Sequence, residues 1–200
     1  ITDHGFSHFA FGLTVKKVNK MKTEIEQISH KLSTDILLGI ESNLIGRKGV
    51  IDMEKEHYDL FDIVLCNFHH FALAADFFDF FSFYTPNLFI SLFKKAPKII
   101  RKKNTKALIE AVKKNKIDVV AHINSSFLVD TCEVAKACAD YGTYIELSGK
   151  IAGFSDEEFW NMAKTGVNFI INSDAHKADN IGNFDKIIDI LTRTDYSIEK

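Results

Sequence analysis

The sequence predicts an α/β protein of the β/α-barrel type. Three observations point to it: short apolar runs alternate with helical patterns, the runs are apolar without interruption, and most of them lead to a His, Asp or Glu. Alternation implies parallel strands joined by helical crossovers. Uninterrupted runs fit strands covered on both faces. Polar residues just past the strands fit the barrel face on which active sites are assembled.

The elements follow in order. Val15, Val18, Met21, Ile25, Ile28 and Leu32 keep the three-and-four spacing of an amphipathic helix. Residues 36–40 form an apolar run ending at Glu41, and 62–68 form another ending at His69. The pattern over 104–115 predicts a helix with Leu108, Ile109 and Val112 inward and Asn104 as its N-cap. A strand over 117–121 ends at His122, and a helix over 130–141 stops at Gly142. A strand over 143–147 contains Glu146, which either points into the barrel to orient a ligand or sits in a buried ion pair. Ser155 and Glu158 stand in capping-box spacing at the head of a helix over 155–164. A strand over 167–171 leads into Asp174 and His176, and a last helix covers 183–191.

A Phe-rich insertion at about 71–103 breaks this rhythm and ends in a basic run of Lys94, Lys95, Lys98, Arg101, Lys102 and Lys103. Its Phe77, Phe78, Phe80, Phe81, Phe83, Phe89 and Phe93 exceed what one short helix buries. Such an apolar surface serves as a lid over the active-site face or as a contact for a homo-oligomer.

Composition narrows the classes. At 46% hydrophobic, 200 residues supply one core, hence a single domain over 1–200. A formal charge of -2 gives no reason to expect a nucleic-acid partner, and the basic run reads as a solvated helix face. Cys66, Cys132 and Cys138 show no metal-ligand pairing and fit a reducing, cytoplasmic setting. The stretch 77–93 contains Asp79, Pro86 and Asn87, too interrupted for the about 20 apolar residues of a membrane span. No membrane partner is expected. The chain opens on Ile1 without Met or a leader, which reads as a sequence cut at its front.

His4, Glu41, His69, His122, Asp174 and His176 carry the functional signal. Singly, His4 or His69 reads more often as a satisfied, hydrogen-bonded histidine than as a ligand, and Glu41 reads as a salt-bridge partner. Together, just past five apolar runs, they converge in a barrel and offer the imidazole and carboxylate donors of zinc, manganese or iron. His70 is the alternative to His69, while His8, His30 and His57 read as exposed.

These residues stand in motifs that resemble the PHP (polymerase and histidinol phosphatase) family, most closely its stand-alone bacterial phosphatase-like members. The resemblance runs through Ile1–Gly5 (ITDHG), Gly39-Ile40-Glu41, Asn67-Phe68-His69, Ala121-His122 and Asn172–His176 (NSDAH). It implies a distorted (β/α)7 TIM-like barrel, here with the first strand missing or truncated. It implies up to three divalent metal ions, with Glu41 bridging two of them. His69 and His122 would complete one bridged position, Asp174 would serve the other, and His4 and His176 the third. The family's opening His-x-His element and a further early histidine are absent, so only the Glu41–His69–His122 position looks complete. Ile123 also stands where relatives often carry Pro.

The expected activity is hydrolysis of a small phosphate ester by a metal-bound hydroxide, with Glu41, His69 and Asp174 as catalytic residues. Two other classes remain open: a PHP-fold metal-binding protein without turnover, and an exonuclease acting on nucleic-acid ends.

Overall fold

The computed structural model describes residues 1–93, 95–125, 127–150 and 153–196, without the side chains of Ser91 and Leu92. Its strands are β1 (Thr2–His4), β2 (Gly39–Gly46), β3 (Val50–Ile51), β4 (Ile63–Asn67), β5 (Val119–Val120), β6 (Tyr144–Ser148) and β7 (Phe169–Asn172). The helices are α1 (Val15–Ser29), α2 (Phe77–Asp79), α3 (Thr85–Phe93), α4 (Lys98–Lys114), α5 (Thr131–Tyr141), α6 (Asp156–Ala163) and α7 (Asp185–Arg193). The sheet runs β1-β2-β4-β5-β6-β7 with every neighbour parallel, and β3 pairs antiparallel with β2. This curled parallel sheet with crossover helices is the distorted TIM-like architecture expected, and β1 and β7 are its edges among the described residues.

Burial explains the apolar runs. Along β4, Val64 and Cys66 join the large core under the helices, whereas Leu65 joins a smaller cluster with Val119 and Ala121. Successive side chains of a strand point to opposite faces, so both faces are dry. Each fully buried aliphatic side chain contributes about 1.5–3 kcal/mol.

Helix ends follow local chemistry. Asp130 caps α5 by accepting from Glu133 N, and Gly142 closes it at φ 70°, a left-handed position that suits glycine. The Ser155–Glu158 capping box opens α6 as its spacing predicts. Asn104 corrects the reading of α4. The helix starts at Lys98 after Pro97, so Asn104 lies inside it, where its buried amide exchanges hydrogen bonds with Asn87 and donates to Leu128 O. It is polar to satisfy buried partners, not to cap. Similarly, α1 stops at Ser29 and leaves Leu32 half exposed outside it.

The Phe-rich segment leaves β4 and forms α2, a wide turn over Phe80–Tyr84, and α3. Arg47, just past β2, pairs with Asp79 Oδ1 at 2.7 Å and pins the segment to the sheet. Phe83 and Ile90 are buried, while Phe77, Phe78, Phe81, Phe89 and Phe93 remain exposed. Lys94, expected in the basic run, lies outside the described residues. Among the described residues no helix is long and apolar enough to cross a membrane.

Candidate metal centre

Register places the first two candidates side by side. His4 closes β1 opposite Glu41 of β2, and Glu41 is in turn opposite Leu65 of β4. β4 then carries the chain to His69, and β5 delivers His122. The sequence pattern sets Glu41 just past its strand. It is instead the third residue of β2, which continues to Gly46 because β3 folds back and pairs with its far end.

Glu41 is the hub. Its Oε1 lies 2.7 Å from His122 Nε2 and 3.3 Å from His69 Nε2, and its Oε2 lies 3.6 Å from His4 Nδ1. Burial opposes its negative charge, but contacts from His122 and His69 prevail and hold its pKa well below the ordinary carboxyl value. Burial and the neighbouring His69 lower the pKa of His4, which favours its neutral ring. For His122, burial also favours the neutral ring. Its contact with Glu41 and the charges of Glu41, Glu146 and Asp174 outweigh that and push its pKa up to about 9.

Part of the cluster lacks well-formed partners. His4 Nδ1 and Glu41 Oε1 are buried with no well-formed hydrogen bond. Buried polar atoms in folded proteins are nearly always partnered, because leaving one bare costs about 1–3 kcal/mol. His4, Glu41 and His69 each offer a ligating atom, all within 4.8 Å of one another. Two imidazoles and a carboxylate gathered this closely fit a divalent cation.

Asp174 and His176 form a second group in the loop after β7. His176 Nδ1 lies 3.6 Å from Asp174 Oδ1, and Lys150 Nζ lies 3.7 Å from Asp174 Oδ2 and 3.3 Å from the His176 ring. Asp174 is half-buried and acts electrostatically on His122 and on Glu146. His176 is largely exposed. His122, Asn124 and Asp174 all hold positive φ, at 37°, 61° and 49°. Such backbone costs energy for residues other than glycine and gathers at functional sites.

Several participants escape a reading of the sequence. Lys150 lies two residues past β6, so position alone could raise it. His8, which reads as exposed, is 5% exposed: its ring stacks on His4 at 4.5 Å between centroids, and its Nδ1 accepts from Phe11 N at 3.1 Å. His70 packs against Phe68 instead of facing Glu41. Glu146 does point inward: it is buried, accepts from Asn172 Nδ2, and leaves Oε2 without a partner.

No family model matches the chain. It is similar to curated proteins named probable phosphatases. One from Shewanella sp. (strain ANA-3) is 29% identical across 82% of this chain and 60% of its own length. Another from Acetivibrio thermocellus is 28% identical across 82% of this chain and 62% of its own length. A third, from Caldanaerobacter subterraneus subsp. tengcongensis, is 27% identical across 96% of this chain and 68% of that protein. The chain thus spans about 60% of the length of the first of these relatives. Among solved structures it is similar to histidinol phosphate phosphatase from Lactococcus lactis subsp. lactis, determined with zinc, L-histidinol and phosphate. The TM-score is 0.56 at 10% identity, covering 94% of this chain and 76% of that one. The PHP resemblance of the motifs therefore agrees with sequence relatives named as phosphatases and with a fold neighbour that is a histidinol phosphate phosphatase.

Proposed function

We propose that this protein is a metal-dependent phosphoesterase acting on a small phosphate ester in the cytoplasm, a single PHP domain over 1–200 with an insertion at about 71–103. The observation that carries the reading is the close grouping of His4, Glu41 and His69, whose ligating atoms lie within 4.8 Å of one another and include a buried, unpartnered His4 Nδ1. Relatives named probable phosphatases and the zinc-bound fold neighbour support it.

His4, Glu41 and His69 would hold one divalent ion, zinc or manganese first and iron next. His122, 2.7 Å from Glu41, would share the position that the motifs give to Glu41 and His69, and Asp174 and His176 would contribute to further positions, up to three ions in all. Bound there, such an ion acidifies water and polarises a phosphoryl oxygen. The chain's own groups do the rest. Glu41 supplies the negative charge that assembles three imidazoles, and Asp174 anchors the β7 side. Lys150, partly exposed beside Asp174 and His176, presents an ammonium to a phosphate oxygen and so favours a phosphorylated substrate over a neutral one. Expected result: the purified chain loaded with zinc or manganese hydrolyses an aryl phosphate, and excess chelator stops it. Hydrolysis undiminished in chelator would overturn the metal-dependent reading. Metal uptake without hydrolysis would favour a binding protein instead.

The exposed phenylalanines support self-association through the insertion, since patches of this kind mark interfaces. Replacing Phe77, Phe81 and Phe93 together by Ser is expected to lower the solution mass measured by light scattering to that of one chain. An unchanged mass would remove the insertion from the interface.

A further inference from the structure

Behind His69 and His4 stands a polar network that the proposed chemistry does not use. Five donors converge on the Asp52 carboxylate. They are Ser7 N at 2.8 Å, Ser7 Oγ at 2.7 Å, Ser42 Oγ at 2.8 Å, Asn43 N at 2.6 Å and Asn43 Nδ2 at 2.5 Å. Asp52 N in turn donates to Asn43 O at 3.0 Å. Asn43 is fully buried, and its Oδ1 lies 2.7 Å from His69 Nδ1.

The direction of each bond follows from Asp52. A carboxylate only accepts, so the Asn43 amide must turn its NH2 toward Asp52 and its oxygen toward His69. An amide oxygen also only accepts, so His69 must carry its proton on Nδ1. In the neutral ring Nε2, which faces Glu41 Oε1 3.3 Å away, is then the nitrogen left free for a cation. A side chain anchored this way costs little entropy to hold in one orientation, and charge-assisted bonds at Asp52 make the amide flip expensive.

The same carboxylate reaches the turn that follows the other ligand. A Cβ on Gly5 would stand 2.5 Å from both Asp52 oxygens, so glycine directly after His4 lets the carboxylate close on the Ser7 turn. Asp52 therefore ties the backbone that follows His4 to the amide that orients His69.

We propose that Asn43 and Asp52 are positioning residues of the centre, fixing the His69 tautomer and the placement of His4 so that both present bare nitrogen to a cation beside Glu41. The proposal rests on the reading of the Glu41 cluster as a cation site. Partners of this kind, behind a metal-binding histidine, are typically worth roughly 10–100-fold in affinity.

The first test needs no variant. Long-range proton–nitrogen correlation spectra of the metal-free chain, labelled with nitrogen-15, report which His69 nitrogen is protonated. Protonation at Nδ1 is expected in the neutral ring, and a neutral ring protonated at Nε2 alone would overturn the proposal. The second test titrates zinc alone against a chromogenic chelator. Asn43→Ala is expected to weaken zinc binding by roughly 10–100-fold and to leave His69 as a mixture of tautomers. Asp52→Asn keeps the shape but frees the Asn43 amide to flip, so it is expected to mix the tautomers too, with a smaller loss of affinity. A folded Asn43→Ala chain with unchanged affinity and an unchanged His69 signal would refute the role. Neither readout depends on hydrolysis. A chain that fails to cleave phosphate esters but shows the Nδ1 tautomer and zinc binding refutes the proposed activity and leaves the positioning role standing.

Discussion

Replacing Glu41 by Gln is expected to abolish zinc binding at the His4–Glu41–His69 cluster and to lower phosphoesterase activity by about 100-fold or more. Residues that merely orient metal ligands are worth roughly 10–100-fold, and Glu41 touches the proposed ion directly. The substitution keeps the shape of the side chain, so the fold is expected to persist. It removes the negative charge that lies within contact of three imidazoles. It also brings an NH2 donor into a group of atoms that need a cation, which satisfies lone pairs the ion would otherwise use.

A second signal follows in the metal-free protein. Glu41 is the principal group that raises His122 to about 9, against a burial effect that works in the opposite direction. In the Glu41→Gln variant the burial effect dominates, and His122 is expected to titrate well below its present value. Proton NMR of the His122 ring across pH measures this directly. If His122 titrates unchanged in the variant, Glu41 is not the hub of the cluster.

The sequence carries most of this architecture because two patterns stand out, continuously apolar runs and the three-and-four spacing of helices. Strands buried on both faces are continuously apolar, and runs such as 62–68 admit little else. Residues just past those runs must gather at one barrel face, so His4, His69 and His122 can be found from position alone. What escapes depends on contacts between elements distant in sequence. Asn43 and Asp52 look like ordinary polar residues near a tight turn. Their meaning emerges only when β3 folds back and delivers a carboxylate beneath two histidines. Asn104 shows the reverse error. Its residue type suits a helix start, yet a buried pairing with Asn87 accounts for it. His8 reads as exposed because it sits in the loop after Gly5, whereas its ring stacks on that of His4. Periodicity locates elements, but it does not reveal which polar side chains meet beneath them.

Glu146 yields the second large effect. Burial raises its pKa to about 7, with Glu41 and Asp174 adding to the rise and His122 and Asn172 opposing it. The carboxyl has an ordinary value of 4.5, so the folded chain holds a proton that the unfolded chain has already released between those values. Linkage fixes the sign: this stabilising contribution is fully present below about pH 4.5 and is lost as pH rises through about 7. The gap corresponds to about 3 kcal/mol. Glu146→Gln resembles the protonated form at every pH, keeps an oxygen to accept from Asn172, and cannot ionise. In excess chelator, urea denaturation is expected to give nearly equal stabilities for the two chains at about pH 4.5. At about pH 8 the Glu146→Gln chain should be more stable by up to about 3 kcal/mol. Equal stabilities at both pH values would mean that Glu146 ionises without penalty, and the buried, unpartnered Oε2 would then need another source of compensation. A Glu146→Gln chain that is less stable at the higher pH would show that the charge itself is stabilising, through His122.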